Sequence, residues 1–204
     1  MRSLKKLFLL VSVLFVVSGC STLPKSQTNV QWQAQQQQLS AIHSYRATGK
    51  LTYLSPSQKQ SLYFQWKHSP TRSQLRLTTF LGQSVLNLTM TPQGSTVTTY
   101  NGNTYQDHDP RILVSRLTGL SIPVAQLQGW LLGQPTGADH YQQNITNTLA
   151  SLSKDINGEP WALTYKSYTD EIFAGKTLPL PSQLSLKQGS TTLNIVISKW
   201  VLKQ

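Results

Sequence analysis

Few side chains in this 204-residue sequence have the types and spacing that chemistry needs. The one dense cluster is Asp107-His108-Asp109, where two carboxylates flank an imidazole. Such a trio suits general acid–base catalysis or the start of a metal site. A metal, however, needs further ligands at fitting spacing, and His43, His68 and His140 each stand alone. Serines are plentiful, but none sits in G-x-S-x-G or S-x-x-K, and no glycine-rich phosphate loop is present. Asp109 directly precedes Pro110, the order of a helix N-cap followed by proline in the first turn. The cluster therefore reads as a capped helix start among solvated turn residues. No catalytic residue, cofactor or metal is expected, and an enzyme is poorly supported. One reactive group remains, the thiol of Cys20. It is the only cysteine, which excludes an internal disulfide.

The surroundings of Cys20 give it a different chemistry. Arg2, Lys5 and Lys6 precede an apolar run over residues 7–17. That run is too short to span a bilayer, which takes about 20 residues, and is the size of a signal-peptide core. It ends in Val17-Ser18-Gly19-Cys20, which resembles the bacterial lipobox, where the thiol is acylated and the chain is cut before the cysteine. Residues 1–19 are then a lipoprotein signal peptide, and Cys20 carries the lipid anchor. In the sorting rule that the lipobox implies, aspartate after the cysteine retains the protein at the inner membrane. Ser21 stands there, so the expected place is the outer membrane, facing the periplasm.

The mature chain keeps 15 of the 18 basic residues against seven acidic ones. They are scattered rather than clustered, and the chain leaves the cytoplasm, so nucleic acid is not an expected partner. Anionic lipid or an acidic protein face suits such a surface.

Behind the anchor, residues 20–29 form a polar tether, and residues 30–204 make one domain. Trp32, Leu39 and Ile42 fall at helical spacing, which predicts an N-terminal helix. From Tyr45 onward the period becomes two. Leu62, Phe64 and Trp66 share one face of a strand, Leu75 and Leu77 one face of the next, and Leu86, Leu88 and Met90 one face of a third. Asn101-Gly102 marks a hairpin. Residues 109–133 predict two short helices bent at Gly119. Strand patterns return at Trp161, Leu163 and Tyr165, and again in a hairpin around Gly189 that sets Leu184 and Leu186 against Leu193, Ile195 and Ile197. The fold class is mainly β: antiparallel strands curled around an apolar face, with the helical insert as its cover. That is the shape of a carrier. An apolar pocket gains about 0.8 kcal/mol for each methylene it takes from water.

One turn is out of character. Residues 77–84 read Leu-Thr-Thr-Phe-Leu-Gly-Gln-Ser, so Phe80 and Leu81 sit where a hairpin should be polar. From the residues alone two readings stand level: the pair folds back onto the core, or it projects from the tip.

Residues 117–135, LTGLSIPVAQLQGWLLGQP, resemble the L-T-G-x-x-I-P-x-x-x-L-x-x-W-x-x-G-x-P stretch of the LolB family of outer-membrane lipoprotein receptors. Phe64-x-Trp66, Leu81-Gly82 and the lipobox cysteine are similar too, and the likeness runs from Cys20 to the C-terminus. The resemblance implies a partly closed antiparallel half-barrel with a helical lid over an apolar cavity. It implies a monomer that takes acylated lipoproteins from a soluble periplasmic carrier of the LolA type and inserts them into outer-membrane lipid without nucleotide. It also implies that the loop with Phe80, Leu81 and Gly82 enters the membrane, Leu81 foremost. Leu62, Phe64, Trp66, Leu75, Leu77, Leu86, Leu88 and Met90 would line the cavity, or else pack as plain core. Leu117, Ile122, Val124, Leu127, Trp130 and Leu131 would form the lid. Arg72 and Arg76, near the mouth, would attract an acidic face of the carrier. Two rivals remain: an outer-membrane lipoprotein that binds another apolar ligand or scaffolds an envelope complex, and an anchored hydrolase for which no serine or carboxylate pair can be named.

Overall fold

The computed structural model describes residues 24–203. The signal-peptide run, Cys20 and the first residues of the tether lie outside that span. Eleven strands form a single antiparallel sheet in the order β6-β5-β4-β3-β2-β1-β11-β10-β9-β8-β7. They are β1 (Ser44–Leu54), β2 (Lys59–Ser69), β3 (Arg72–Thr78), β4 (Ser84–Thr91), β5 (Gly94–Thr98), β6 (Thr104–Asp107), β7 (His140–Gln143), β8 (Leu149–Ile156), β9 (Glu159–Phe173), β10 (Lys176–Gln188) and β11 (Thr191–Lys203). The terminal strands β6 and β7 do not pair with each other, so the sheet stays open. This is the expected partial barrel. Two meanders, β1–β6 and β7–β11, are sewn together where β1 pairs with β11.

Alternation decides which face turns inward. In β2, Leu62, Phe64 and Trp66 are buried, while Ser61, Tyr63 and Lys67 are exposed. β3 and β4 repeat the pattern with Leu75, Leu77, Leu86 and Leu88. The register sets these residues opposite one another, Phe64 against Leu77, Leu77 against Leu86 and Leu75 against Leu88. Successive strands thus build one apolar face. The second meander continues it with Leu163, Leu184, Leu186, Leu193 and Ile195, all in the same buried cluster.

The seam between the meanders depends on Gly49. A Cβ there would lie 1.9 Å from the carbonyl oxygen of Val196 and 2.9 Å from the Ile197 Cα. The β1–β11 register shifts between Thr48 and Gly49. Backbones approach this closely only where no side chain intervenes.

Among the described residues three helices complete the fold: α1 (Trp32–Ser40), α2 (Pro110–Thr118) and α3 (Val124–Trp130). α1 docks by its narrow apolar stripe, with Leu39 and, just beyond its end, Ile42 buried, and by its glutamines. Gln35 is buried and its Nε2 donates to the Pro179 carbonyl at 3.3 Å, while Gln36 Nε2 reaches the Gly133 carbonyl at 3.5 Å. Trp32 stacks on Tyr141 of β7. The Pro179 carbonyl is accessible because β10 pairs with β11 only over Gln183–Gln188, and its earlier half is an edge on that side. That edge also explains how Pro179 and Pro181 are accommodated within a strand. β7 and β8 are not foreseen by periodicity. All four β7 residues are exposed, and the buried β8 residues Leu149, Leu152 and Ile156 are spaced by three and four, which imitates a helix.

Candidate functional site: a lidded apolar face and an exposed turn

The insert between β6 and β7 lies over the open side of the apolar face. Asp109 caps α2 as expected. Its Oδ1 accepts the Arg111 N–H at 2.9 Å, and its Oδ2 pairs with Arg111 Nη2 at 2.7 Å. Hydrogen bonding from the Arg111 side chain holds the Asp109 carboxyl below its usual pKa. Asp107 Oδ1 accepts the Asp109 N–H at 3.0 Å, so both carboxylates of the Asp-His-Asp cluster are occupied in building a helix start. Among the described residues no group of three His, Cys, Asp or Glu is placed to hold a metal.

α2 packs against β4, β5 and β6. It ends at Gly119, in the left-handed conformation, and a short extended segment leads to α3, whose cap is Pro123. Ile122, Val124, Leu127, Trp130 and Leu131 are buried against the sheet, and Leu117 is half-buried on the edge of the same cluster. The C-terminal end of α3 is pinned by two phenols. Tyr45 of β1 donates to the Gln128 carbonyl at 2.5 Å, and Tyr165 of β9 donates to the Trp130 carbonyl at 2.8 Å. Burial pushes both phenols well above their ordinary pKa, so they remain donors at any physiological pH. No comparable tie holds the 119–123 segment among the side-chain hydrogen bonds of the described residues beyond Thr118, whose Oγ1 accepts the Leu120 N–H. The C-terminal end of the lid is thus held by hydrogen bonds, and its 119–123 segment by apolar burial, with Leu120 and Ile122 at most 1 % exposed.

Beneath the lid, Leu62, Phe64, Trp66, Leu75, Leu77, Leu86 and Leu88 are at most 5 % exposed, and Met90 is half-buried at the rim. They fall in one cluster with the lid residues. One polar group breaks this surface, Trp66 Nε1, which is buried with no hydrogen-bond partner; Gln126 Oε1 of α3 and Gln35 Oε1 of α1 are likewise unpartnered. The Trp66 N–H sits beside the Tyr45 oxygen but outside good hydrogen-bond geometry, so it counts as unpaired. The second meander joins the same buried cluster through Leu149, Leu152, Leu163, Leu184 and Leu193.

The odd turn projects. Phe80 is 79 % and Leu81 70 % exposed, and Gly82 turns the chain at φ 80°. The alternative of folding back onto the core is not the one adopted. Arg72 does not lie near this tip. Arg72 begins β3 and the tip follows its end, so a whole strand separates them. With Arg46, Lys67 and Lys203, Arg72 instead lines a basic cleft of about 290 Å³ at the other end of the sheet. Arg76 faces outward between the buried Leu75 and Leu77.

An open antiparallel sheet with a helical lid and a protruding turn can be compared with known proteins. Residues 43–200 match the family profile described as outer membrane lipoprotein LolB. This chain belongs to the LolB family. A relative named outer-membrane lipoprotein LolB, from Vibrio vulnificus, is 52 % identical over 196 residues, 96 % of each chain. A relative of the same name from Vibrio atlanticus is 46 % identical across the full length of both. Among solved structures, a LolA superfamily protein from Nitrosomonas europaea is similar at a TM-score of 0.50 with 9 % identity, covering 86 % of this chain and 94 % of that one. The likeness at that identity is one of fold alone. The family is one of outer-membrane lipoproteins and not of enzymes, in keeping with the sequence reading.

Proposed function

We propose that this protein receives acylated lipoproteins from a soluble periplasmic carrier of the LolA type and delivers them into the outer membrane. The acyl chains would occupy the space between the sheet and the lid, displacing packed side chains rather than filling a permanent void. Leu62, Phe64, Trp66, Leu75, Leu77, Leu86, Leu88 and Met90 form the floor, and Leu117, Ile122, Val124, Leu127, Trp130 and Leu131 the cover. The observation that carries this reading is the continuous apolar face under a helical cover whose own apolar side chains fall in the same buried cluster.

Apolar contact is sufficient for the cargo. Each methylene moved from water contributes about 0.8 kcal/mol, so an acyl chain binds strongly without any polar anchor. Trp66 Nε1 and Gln126 Oε1, unpaired in the closed state, are available to polar atoms at the head of the acyl chains. Transfer needs no nucleotide when the receptor holds acyl chains more tightly than the carrier does. A difference of about 1.4 kcal/mol shifts the exchange tenfold. Cys20 carries the anchor, and the turn of Phe80, Leu81 and Gly82 brings the mouth of the cavity to lipid. Removing the anchor by Cys20→Ala then affects location and leaves acyl binding intact.

The test is direct. The chain without residues 1–19, carrying Cys20→Ala, is mixed with a LolA-type carrier preloaded with a lipoprotein, and no nucleotide is added. The expected result is cargo on this chain at equilibrium. Cargo that stays on the carrier would sink the receptor reading.

A further inference from the structure

The turn carrying Phe80 and Leu81 has a twin. Residues 79–83 read Thr-Phe-Leu-Gly-Gln, and residues 99–103 read Thr-Tyr-Asn-Gly-Asn. Threonine comes first, an aromatic second, glycine fourth and a side-chain amide fifth in both. The closures match bond for bond. The threonine N–H donates to the carbonyl of the fifth residue at 2.9 Å in each, and the glycine N–H donates to the threonine carbonyl at 3.0 Å in each. Gly82 and Gly102 turn the chain at φ 80° and 83°. The shared closure throws the second residue outward, and Tyr100 is 89 % exposed, more than Phe80. Backbone geometry accounts for the exposure but not for the choice of an aromatic, since turn apices favour small polar residues.

The two turns also share a place. They join β3 to β4 and β5 to β6, so both leave the same end of the sheet, two strand spacings or about 10 Å apart. Val97 pairs with Leu88, which sets the base of the second turn about three residues, or roughly 10 Å, short of the first along the strands. The line through the tips therefore runs at about 45° to the strands, comparable to the tilt that strands take in barrels. Neither turn contains a charged residue, and neither does the 55–58 connection between β1 and β2 at the same end. No ion at these tips would have to be desolvated on contact with lipid. A tyrosine ring with a polar outer edge suits the boundary between acyl chains and headgroups.

We propose that Tyr100 is a second lipid-contacting residue, and that the β3–β4 and β5–β6 turns seat the domain on the bilayer as a pair. This rests on the membrane role of Phe80 and Leu81 proposed above. One tip would leave the domain free to pivot about it. Two tips fix its tilt, and with it the direction in which the cavity faces the bilayer.

The experiment uses the lipidated mature chain in vesicles of phosphatidylethanolamine and phosphatidylglycerol. An environment-sensitive fluorophore is attached at Tyr100→Cys, Phe80→Cys or Gln93→Cys, one per protein, with nitroxide-labelled lipids as quenchers. Cys20 is the only native cysteine and is consumed by the anchor, so the label has one target. Gln93 is exposed in the β4–β5 turn at the opposite end and serves as control. We expect quenching at positions 80 and 100, with position 100 at least half as strong as position 80, and none above background at 93. Quenching at 80 alone overturns the paired seat and leaves the role of Phe80 and Leu81 standing. Quenching at neither 80 nor 100 overturns both. Equal quenching at all three positions means that the domain lies on lipid without orientation, and that also overturns the proposal.

Discussion

Leu81→Glu separates the membrane step from the binding step, and the structure sets the size of the effect. Leu81 is 70 % exposed, so its replacement removes little from the fold, and stability should change by less than about 0.5 kcal/mol. Full burial of a leucine side chain is worth about 1.5–3 kcal/mol, and the exposed part of Leu81 carries roughly 1–2 kcal/mol of it on entering lipid. Desolvating the new carboxylate adds about 1 kcal/mol at interfacial depth. A total near 2–3 kcal/mol slows delivery by roughly 30- to 140-fold. The assay preloads the chain with an acylated lipoprotein, adds vesicles and follows cargo into the vesicle fraction. Acceptance from the carrier should match wild type, because Leu81 lies outside the covered apolar cluster. Leu81→Ala, without the charge, should lie between the two proteins. Delivery by Leu81→Glu at the wild-type rate would refute the reasoning. So would a loss of delivery that tracks a fall in Tm, because the defect would then be one of folding.

Four further predictions follow from the fold. Gly49→Ala places a methyl against the Val196 carbonyl and must force β11 away from β1, at a cost of about 1–3 kcal/mol, read as a Tm lowered by several degrees. Tyr165→Phe removes one of the two hydrogen bonds that pin the end of the lid, and should speed amide exchange in residues 124–131 while leaving exchange in β1 and β2 unchanged. Asp109 has its pKa lowered by Arg111, so its contribution to stability is complete above the ordinary carboxylate value near 3.8 and is lost as pH falls through the lower folded-state value; Asp109→Asn should flatten acid unfolding in that window. Burial lowers the His68 pKa below 6.5, which adds a separate loss of stability as pH falls from 6.5 toward the folded-state value, absent in His68→Gln.

Much of this fold was legible because its signals are local. Strict alternation in β2, β3 and β4 names the inward residues one by one, and the Asp109-Pro110 pair with Gly119 brackets α2 closely. The family signature over residues 117–135 names the lid before any coordinates do. What escaped depends on distant neighbours. Leu149, Leu152 and Ile156 are buried because β8 lies between β7 and β9, and their spacing carries no trace of a strand. Gln35 reads as a polar residue beside a stripe, yet it is buried, because the carbonyl of Pro179 lies 144 positions along the chain. Arg72 lies at the far end of β3 from the tip, a placement set by strand direction that charge alone does not reveal. The kinship of the two turns was in plain view as Thr-Phe-Leu-Gly-Gln and Thr-Tyr-Asn-Gly-Asn, but only the sheet order shows that both tips leave from the same end.

The central claim is that acyl chains lie between the sheet and the lid. Two adjacent residues of β4 test it, because Leu88 is fully buried on the inner face and Asn87 is exposed on the outer one. A photoreactive side chain is placed at one position or the other, cargo is transferred from the carrier, and the sample is irradiated. The account predicts cross-links from position 88 to the acyl chains of the cargo and none from position 87. Bound cargo that cross-links from 87 but not from 88 would place the lipid outside the barrel and contradict it.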